Sequence, residues 1–264
     1  MSLRITILGC GSSGGVPRIG ALWGQCDPNN PKNRRTRCAL LVEDIRPGAK
    51  TVALIDTPPD IREQLLSVRA DHLDGVLFTH DHADHTHGID DLRGIAYAMK
   101  RRVDCWFDRP TRESLTGRFS YCFTQKPGSD YHPILNAHDI APDGVVRLGG
   151  SRSSLTFQTI VQRHGEINSL GFRVGDVAYS PDVSDIPESS LALLEGLDLW
   201  IVDALRHTRH PSHFSVAEAL QWIERIKPRR AILTHMTAEL DYERLKRELP
   251  PHIEPAYDGM VIEF

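Results

Sequence analysis

A short segment rich in histidine and aspartate carries the strongest chemical signal in this sequence. It reads Thr79-His80-Asp81-His82-Ala83-Asp84-His85 and directly follows an apolar, strand-like run. Alternate residues of an extended chain point the same way, so His80 and His82 can bind one cation. Asp84 and His85 lie where the chain turns and can face a second cation. The alternative is a solvated loop that is rich in histidine by chance, but the pattern H-x-H-x-D-H favours a metal site.

Three further residues of the same types follow apolar runs much later in the chain. They are His164, Asp182 and His235. Histidine and aspartate ligands without cysteine suit Zn²⁺, Mn²⁺ or Fe²⁺ better than copper or Ca²⁺. Taken singly, each of the three is better explained as a polar residue at the end of a strand.

Hydrophobic periodicity predicts the strands and helices that would position these residues. The predicted strands are 3–8, 38–42, 51–55, 74–78, 103–107, 155–161, 170–174, 177–179, 198–203, 231–233 and 260–264. The predicted helices are 61–68, 88–100, 110–117, 186–194, 215–226 and 241–249. Two sheets packed face to face, with helices outside, would place the polar strand ends along one rim.

The H-x-H-x-D-H segment after an apolar strand resembles the signature of the metallo-β-lactamase-fold hydrolases. In two-metal members of that family a distant histidine, a bridging aspartate and a last histidine complete the site, and His164, Asp182 and His235 match them in order. The resemblance implies an α/β fold, the four-layer αβ/βα sandwich of the metallo-β-lactamase type. It also implies two divalent metal ions per chain, zinc or manganese, and a metal-bridging hydroxide as the nucleophile.

The same resemblance distributes the ligands between the two metals. His80, His82 and His164 are expected to bind one ion. Asp84, His85 and His235 are expected to bind the other, and Asp182 to bridge both.

Three other segments are similar to the phosphodiesterase branch of this family, which includes the phosphoribosyl cyclic phosphodiesterase of phosphonate degradation. They are residues 9–17, residues 56–59 and Pro211-Ser212-His213. The branch has an extra histidine that protonates the leaving oxygen. His213 matches it just before a helix start, where a phosphate anion is also favoured, and His210 is the alternative for this role. His213 and Asp84 are therefore the expected catalytic residues.

Substrate contacts are expected from basic residues near that histidine. Arg206, Arg209 and His210 are the candidates, because guanidinium groups match phosphate oxygens bidentately. The phosphonate-pathway enzyme also has a structural zinc, bound by cysteines of an early loop and a late histidine. Here the early loop has only Cys26, and no histidine follows His235 closely, so the sequence predicts that this zinc is absent.

Length and composition narrow the class of protein further. The 264 residues, 40% hydrophobic and 25% charged, suit one globular domain over 1–264. A net charge of −4 argues against long nucleic acid as a partner. Five scattered cysteines predict reduced thiols and a cytoplasmic location. No leader or membrane-length apolar run is evident, so no membrane partner is expected, and a homodimer is possible.

Several loops have two interpretations. The Gly/Ser loop 9–17 is either a phosphate cradle or, preferably, a tight turn between strands. The segment 19–37 is predicted to be a long surface loop whose basic run 32–37 forms a solvated face. In the irregular segment 109–143, the aromatic side chains are expected to pack locally, although they could line a substrate cleft. They are Phe119, Tyr121, Phe123 and Tyr131.

The sequence as a whole predicts a dinuclear, metal-dependent hydrolase acting on a small cyclic or nucleotide-like phosphodiester. A lactonase or thioesterase of the same fold is the alternative, because the same nucleophile attacks a carbonyl centre. A tRNA 3′-processing nuclease or a non-enzymatic metal-binding protein is less favoured.

Overall fold

The computed structural model of the chain describes residues 2–141 and 144–264, and these divide into two compact units. The described part of the first unit comprises residues 2–8, 39–141, 144–156 and 261–264. The second unit comprises residues 9–38 and 157–260. Whether the whole chain, 1–264, acts as one domain stays a prediction.

Each unit is built around strands of one or the other sheet. In chain order they are β1 (Ser2–Gly9), β2 (Ala39–Arg46), β3 (Ala49–Ile55), β4 (Gly75–Leu77), β5 (Val103–Phe107), β6 (Leu135–Asp139), β7 (Val145–Gly149), β8 (Ser154–His164), β9 (Ile167–Val174), β10 (Val177–Ser180), β11 (Leu199–Asp203), β12 (Arg230–Thr234), β13 (Ile253–Pro255) and β14 (Met260–Glu263). The α-helices are α1 (Ile61–Ser67), α2 (Ala83–Thr86), α3 (Leu92–Met99), α4 (Arg109–Arg118), α5 (Ser120–Phe123), α6 (Glu188–Leu191), α7 (Val216–Ile226) and α8 (Tyr242–Glu248). Short 3-10 helices cover Pro31–Asn33, Ile89–Asp91 and Ala192–Leu194.

The first sheet has the strand order β14-β1-β2-β3-β4-β5-β6. Strands β2 and β3 are antiparallel, whereas β3, β4, β5 and β6 run parallel. Leu54 lies opposite Val76, and Leu77 lies opposite Trp106. The carboxyl ends of β3 and β4 therefore meet at one edge of the sheet, where polar residues follow both strands.

The second sheet has the order β13-β12-β11-β10-β9-β8-β7. Strands β10, β11, β12 and β13 are parallel, and β9 is antiparallel to both β10 and β8. Strand β8 therefore runs in the same direction as β10. Five strands of this sheet, β8, β10, β11, β12 and β13, therefore run in the same direction, and their carboxyl ends lie on the same side of the sheet.

Helices cover the first sheet through an apolar core. Ile61 and Leu65 of α1, with Leu92 and Ile95 of α3, are buried in one cluster with side chains of the sheet. The cluster's sheet residues include Leu41, Leu54, Val76, Val103 and Phe107. In the second unit α7 begins at a capping box, in which Ser215 and Glu218 each bind the other's backbone N–H, and it buries Val216, Ala219 and Ile223.

Most predicted elements are confirmed within a few residues, with specific exceptions. The predicted helix 88–100 is a 3-10 turn followed by α3, and Lys100 ends it in a left-handed conformation with φ 53°. Strands β6, β7 and β13 were not predicted, because their short, partly polar sequences lack a clear alternation. Residues 142–143 of the predicted irregular segment 109–143 lie outside the described residues.

Two predictions about side chains need correction. The basic run 32–37 is not a solvated face throughout, since Asn33 and Arg35 are buried. Of the four aromatic residues in 109–143, Phe119 and Phe123 pack against the core as predicted. Tyr121 and Tyr131 do not, since both are exposed. The Gly/Ser loop behaves as the predicted turn, because the N–H groups of Gly11, Ser12 and Gly15 donate to backbone carbonyls.

The five cysteines are buried and form no disulfide, in line with the reduced thiols that the sequence predicted. Among the described residues no helix is both long and apolar enough to cross a bilayer. The cytoplasmic location stays a prediction.

Candidate metal centre

The polar residues predicted as ligands follow the carboxyl ends of parallel strands in each unit. In the first unit Asp56 follows β3 directly, and the histidine-rich segment follows β4. In the second unit β8 ends at His164, Asp182 comes shortly after β10, and His235 follows β12. This arrangement explains why side chains far apart in sequence share one edge of a sheet.

The first cluster consists of His80, His82, Asp84 and His85. The ring centroid of His80 lies 4.5 Å from that of His82 and 4.5 Å from that of His85. His85 Nε2 lies 3.7 Å from a carboxylate oxygen of Asp84. His80 and His85 are buried, whereas His82 is exposed. All four residues of the H-x-H-x-D-H motif are therefore brought together.

A buried aspartate behind this cluster orients two of its histidines. Asp56 accepts a hydrogen bond from His85 Nδ1 at 2.7 Å and two from Thr79, through its N–H at 2.9 Å and its hydroxyl at 2.8 Å. The Thr79 hydroxyl oxygen in turn lies 3.0 Å from His80 Nδ1. Burial raises the pKa of Asp56, while its contacts with His85 and Thr79 oppose the rise. With Nδ1 donating in both rings, Nε2 carries the electron pair that a metal requires.

Backbone contacts hold the turn that carries Asp84 and His85. The Thr57 N–H donates to the carbonyl of His85 at 2.7 Å, and the Gly88 N–H donates to the carbonyl of Thr57 at 2.8 Å. Gly88 packs so closely on Pro58 and Ile61 that a side chain there would clash. Backbone hydrogen bonds and close packing therefore join residues 56–59, which follow β3, to the turn that carries the metal motif.

The second cluster consists of His164, Asp182, His213 and His235. The Nε2 atoms of the three histidines surround the Asp182 carboxylate, at 3.6 Å for His164, 3.9 Å for His213 and 3.2 Å for His235. The rings of His213 and His235 are stacked with centroids 4.7 Å apart. His164 Nδ1 lies 2.7 Å from the carbonyl oxygen of Ser212, so Nε2 is the nitrogen that is available to a metal.

A second buried aspartate, at the end of β11, stands behind this cluster. Asp203 accepts hydrogen bonds from His213 Nδ1 at 2.8 Å and from the Val183 N–H at 3.0 Å. Its other carboxylate oxygen lies 3.8 Å from His235 Nδ1. One carboxylate thus orients His213 and the backbone that follows Asp182.

Three residues of these two clusters and their supports adopt backbone conformations that side chains rarely take. Asp56, Asp182 and His235 have φ values of 66°, 45° and 57°. Left-handed conformations of non-glycine residues cost free energy and concentrate at functional sites. Each of the three follows a strand directly or within two residues, so the strain re-aims the side chain where the strand ends.

The donor sets fit divalent metal ions. Imidazole and carboxylate are ligands for zinc and manganese, and a buried carboxylate ringed by histidine nitrogens is a setting that a cation would stabilise. Within the second unit, Asp203, His213 and His235 also place one ligand atom each within 4.8 Å of one another. His213 is therefore placed either to donate a proton or to bind metal.

The predicted substrate-binding residues lie on the loop before α7. Arg209, His210 and His213 line a cavity of about 450 Å³ with Ser184, Pro211 and Glu218. Arg209 is exposed and paired with Glu218 at 2.9 Å. The Arg206 guanidinium donates to the carbonyls of Thr208 and Arg209, so it shapes the loop and does not line this cavity. Burial lowers the pKa of His210, and nearby His213 and Arg206 lower it further.

Asp56 and Asp203 are the residues that sequence reasoning missed as parts of the site. Both were visible as aspartates at the ends of predicted strands, which is the same signal that identified Asp182. Their role could not be read from sequence because it depends on which histidine each one reaches.

The comparisons with known proteins bear directly on these clusters. The family model of the beta-lactamase superfamily domain matches residues 51–236, which include every candidate ligand. The chain belongs to this family. Its α/β fold is of the metallo-β-lactamase type, as the sequence predicted, and its clusters of histidine and aspartate can hold divalent metal ions.

Similar proteins include solved structures and a curated relative. A structure described as a new diphosphatase from the PhnP family is 33% identical, with a TM-score of 0.87 over 100% of this chain and 98% of that one. The short form of human tRNase Z is 17% identical, with a TM-score of 0.66 over 98% of each chain, and shows the fold alone. A Porphyromonas gingivalis protein named octanoyltransferase is 33% identical over 98% of this chain. The chain spans only 51% of that relative's length.

Proposed function

We propose that the two clusters together bind two divalent ions, zinc or manganese, and hydrolyse a small cyclic or nucleotide-like phosphodiester. The observation that carries the proposal is the Asp203–His213 pair, a buried histidine oriented by a carboxylate with its Nε2 beside Asp182. The similarity to a PhnP-family diphosphatase supports a phosphorus centre as the point of attack.

In this proposal the ligands divide as the family resemblance implies. His80, His82 and His164 hold one ion. Asp84, His85 and His235 hold the other, and Asp182 serves both. The ions supply Lewis acidity, which activates water and neutralises charge on the phosphate. Asp84 is catalytic in this sense, because it fixes one of them.

The chain's own residues handle the proton of the leaving group. The Asp203 carboxylate accepts the His213 Nδ1–H, which holds the ring in place with Nε2 towards Asp182. His213 then donates its Nε2 proton to the departing oxygen. His210 is less suited to this role, because its ring lies beside Ser212 and has no carboxylate at hydrogen-bond distance among the described residues.

Recognition of the substrate falls to the cavity beside His213. Its volume of about 450 Å³ suits a nucleotide or sugar phosphate. Arg209 and His210 offer N–H groups to phosphate oxygens, and Arg206 keeps their loop in shape. We extend the proposal to partners: no long nucleic acid, no membrane, and a homodimer as a possible assembly.

The test is a substrate screen on protein whose metal content is measured in the same preparation. Cyclic and linear phosphodiesters, lactones and thioesters are compared at equal concentration. We expect a phosphodiester to have the highest kcat/KM, with little dependence on salt because few phosphates are neutralised. Preferred turnover of a carbonyl ester, or strongly salt-sensitive cleavage of precursor tRNA, would contradict the proposal.

A second candidate is hydrolysis of an acyl ester, as by a thioesterase or lactonase. It is favoured by the name octanoyltransferase of a relative that matches nearly the whole chain. The same screen separates the two candidates, since an octanoyl thioester would then be turned over faster than any phosphodiester.

A further inference from the structure

A buried arginine lies beside the chain segment that follows His235. Arg35 is 1% exposed, although the residue before it, Arg34, is exposed. Its Nη1 donates to the carbonyl of Thr237 at 3.2 Å and approaches the sulfur of Cys26 at 3.9 Å. Its Nη2 donates to the side-chain oxygen of Asn33 at 3.5 Å. All these groups belong to the second unit.

The carbonyl that Arg35 holds is two residues beyond His235. Between them, Met236 is fixed by main-chain bonds, since its N–H donates to Cys10 at 2.9 Å and its carbonyl accepts from Ser12 at 3.2 Å. Cys26 Sγ binds the next carbonyls along, of Ala238 and Leu240. In the segment after the left-handed His235, successive backbone carbonyls therefore accept hydrogen bonds. Among these donors Arg35 is the charged one, and it binds the carbonyl two residues beyond the histidine.

The cost of burying this cation indicates that it does more than fill space. No carboxylate pairs with Arg35 within 4 Å among the described residues, and its Nε–H has no hydrogen-bond partner there. Asp241 interacts with Arg35 electrostatically, but its oxygens accept hydrogen bonds from the N–H groups of Asn33, Asp27 and Arg244. A buried charge without a carboxylate partner usually lowers the stability of the folded state, so an apolar residue at this position would give a more stable protein.

We propose that Arg35 is a positioning residue for His235. It fixes the Thr237 carbonyl and, through two peptide units, the strained backbone that aims the His235 ring. This inference rests on the proposed function, because it makes the affinity for the ion assigned to His235 depend on Arg35. Support of a ligand by surrounding groups is typically worth 10- to 100-fold in metal affinity.

The experiment titrates metal-free protein with Mn²⁺ and measures the dissociation constants of both ions by calorimetry. Arg35→Met should raise the dissociation constant of one ion by about 10- to 100-fold and change that of the other by less than about threefold. Arg35→Lys keeps a donor and the charge, so it should recover part of the loss. Arg34→Met is the matched control, with the same chemical change on an exposed neighbour, and should bind both ions as wild type does.

A second control separates positioning from general destabilisation. Phe172→Leu opens space in the core of the same unit and lowers the unfolding temperature without touching Arg35. If Arg35 acts only on stability, the ratio between the dissociation constants of the two ions will be the same in Arg35→Met and Phe172→Leu. That result overturns the proposal. Unchanged binding of both ions in folded Arg35→Met also overturns it. Wild type that binds a single ion refutes the dinuclear proposal; the positioning role then requires that Arg35→Met weakens the binding of that ion more than Phe172→Leu does, and an equal effect of the two variants overturns it.

Discussion

The two clusters reach a similar arrangement by different routes. In the first cluster four residues within one turn, His80, His82, Asp84 and His85, come together because they are neighbours in sequence. In the second cluster four residues are gathered from strand exits and a loop spread over more than 70 positions. A local cluster is set by one turn, whereas a dispersed cluster is only as accurate as the sheet that holds it.

Both clusters nevertheless use the same supporting device. A buried aspartate at a strand end accepts one histidine Nδ1–H and at least one backbone N–H, with Asp56 serving the first cluster and Asp203 the second. The difference lies in what the oriented histidine does. His85 is assigned to a metal, whereas His213 is assigned to the leaving group. In the proposed function the first cluster therefore serves metal binding alone, and the second combines metal binding with proton transfer.

The largest effect is expected from removing the carboxylate at the centre of the second cluster. Asp182→Ala should lose the second ion and nearly all activity, because three histidine Nε2 atoms surround this carboxylate. Metal analysis and kcat on a phosphodiester check it. Asp185→Ala, an exposed aspartate nearby, is the control and should keep both ions. Full metal content in Asp182→Ala would break the assignment of a bridging ligand.

Removing His213 should cost less and should depend on the leaving group. Positioned proton transfer is worth about 10²- to 10⁴-fold, so His213→Ala should lower kcat by that range with metal content unchanged. An alkoxide must be protonated as it leaves, whereas a nitrophenolate leaves unaided. The deficit should therefore shrink for bis-nitrophenyl phosphate.

The competing assignment makes a different prediction for the same variant. If His213 binds metal with Asp203 and His235, His213→Ala loses metal and is equally impaired on both substrates. That outcome would mean that both clusters serve only to bind metal. The same pair of substrates tested on His210→Ala would then identify the proton donor.

The two supporting aspartates give a matched pair of smaller effects. Asp56→Asn should weaken metal affinity by about 10- to 100-fold and lower activity on both substrate types alike. Asp203→Asn should lower kcat mainly for the poor leaving group, because it misorients the proton donor. Chelator competition and the two substrates measure this contrast. If the two variants lose metal affinity and activity on the two substrates to the same extent, the proposed division of roles between the clusters is wrong.

The smallest expected effect is on stability and contrasts one carboxylate in each unit. Burial raises the pKa of Asp258 to about 6, although Thr36 and Cys10 donate hydrogen bonds to it. In Asp44 burial acts in the same direction, but hydrogen bonds from Arg46, Ser154 and Ser153 outweigh it and lower the pKa.

Opposite shifts predict opposite pH dependences of the unfolding free energy. With its pKa raised, folded Asp258 holds its proton where the unfolded chain has lost it, so its contribution falls as pH rises from about 4 to about 6. The loss is at most about 3 kcal/mol, and less because this residue keeps some contact with water. Asp44 contributes stability that is lost below about pH 4. Denaturant unfolding of wild type, Asp258→Asn and Asp44→Asn measures both slopes, and equal slopes in all three would contradict the contrast.

The local first cluster could be predicted from the sequence more completely than the dispersed second cluster. The first cluster was readable because its spacing is local, and His164, Asp182 and His235 became convincing only through the order of a known family. Strands β6, β7 and β13 were missed, since short strands with polar residues have little periodicity. Arg35 was misjudged as solvated, because nothing in a basic run shows which side chain the fold will bury. Asp56 and Asp203 needed the structure, since their partners are set by packing.

The central claim is that this chain uses two metal ions to hydrolyse a phosphodiester, and one titration tests it most directly. Metal-free protein is titrated with Mn²⁺ or Zn²⁺ while bound metal and hydrolysis of bis-nitrophenyl phosphate are followed together. The account predicts that metal binding saturates near two ions per chain and that activity rises fully only with the second. Saturation of both binding and activity at a single ion would contradict it.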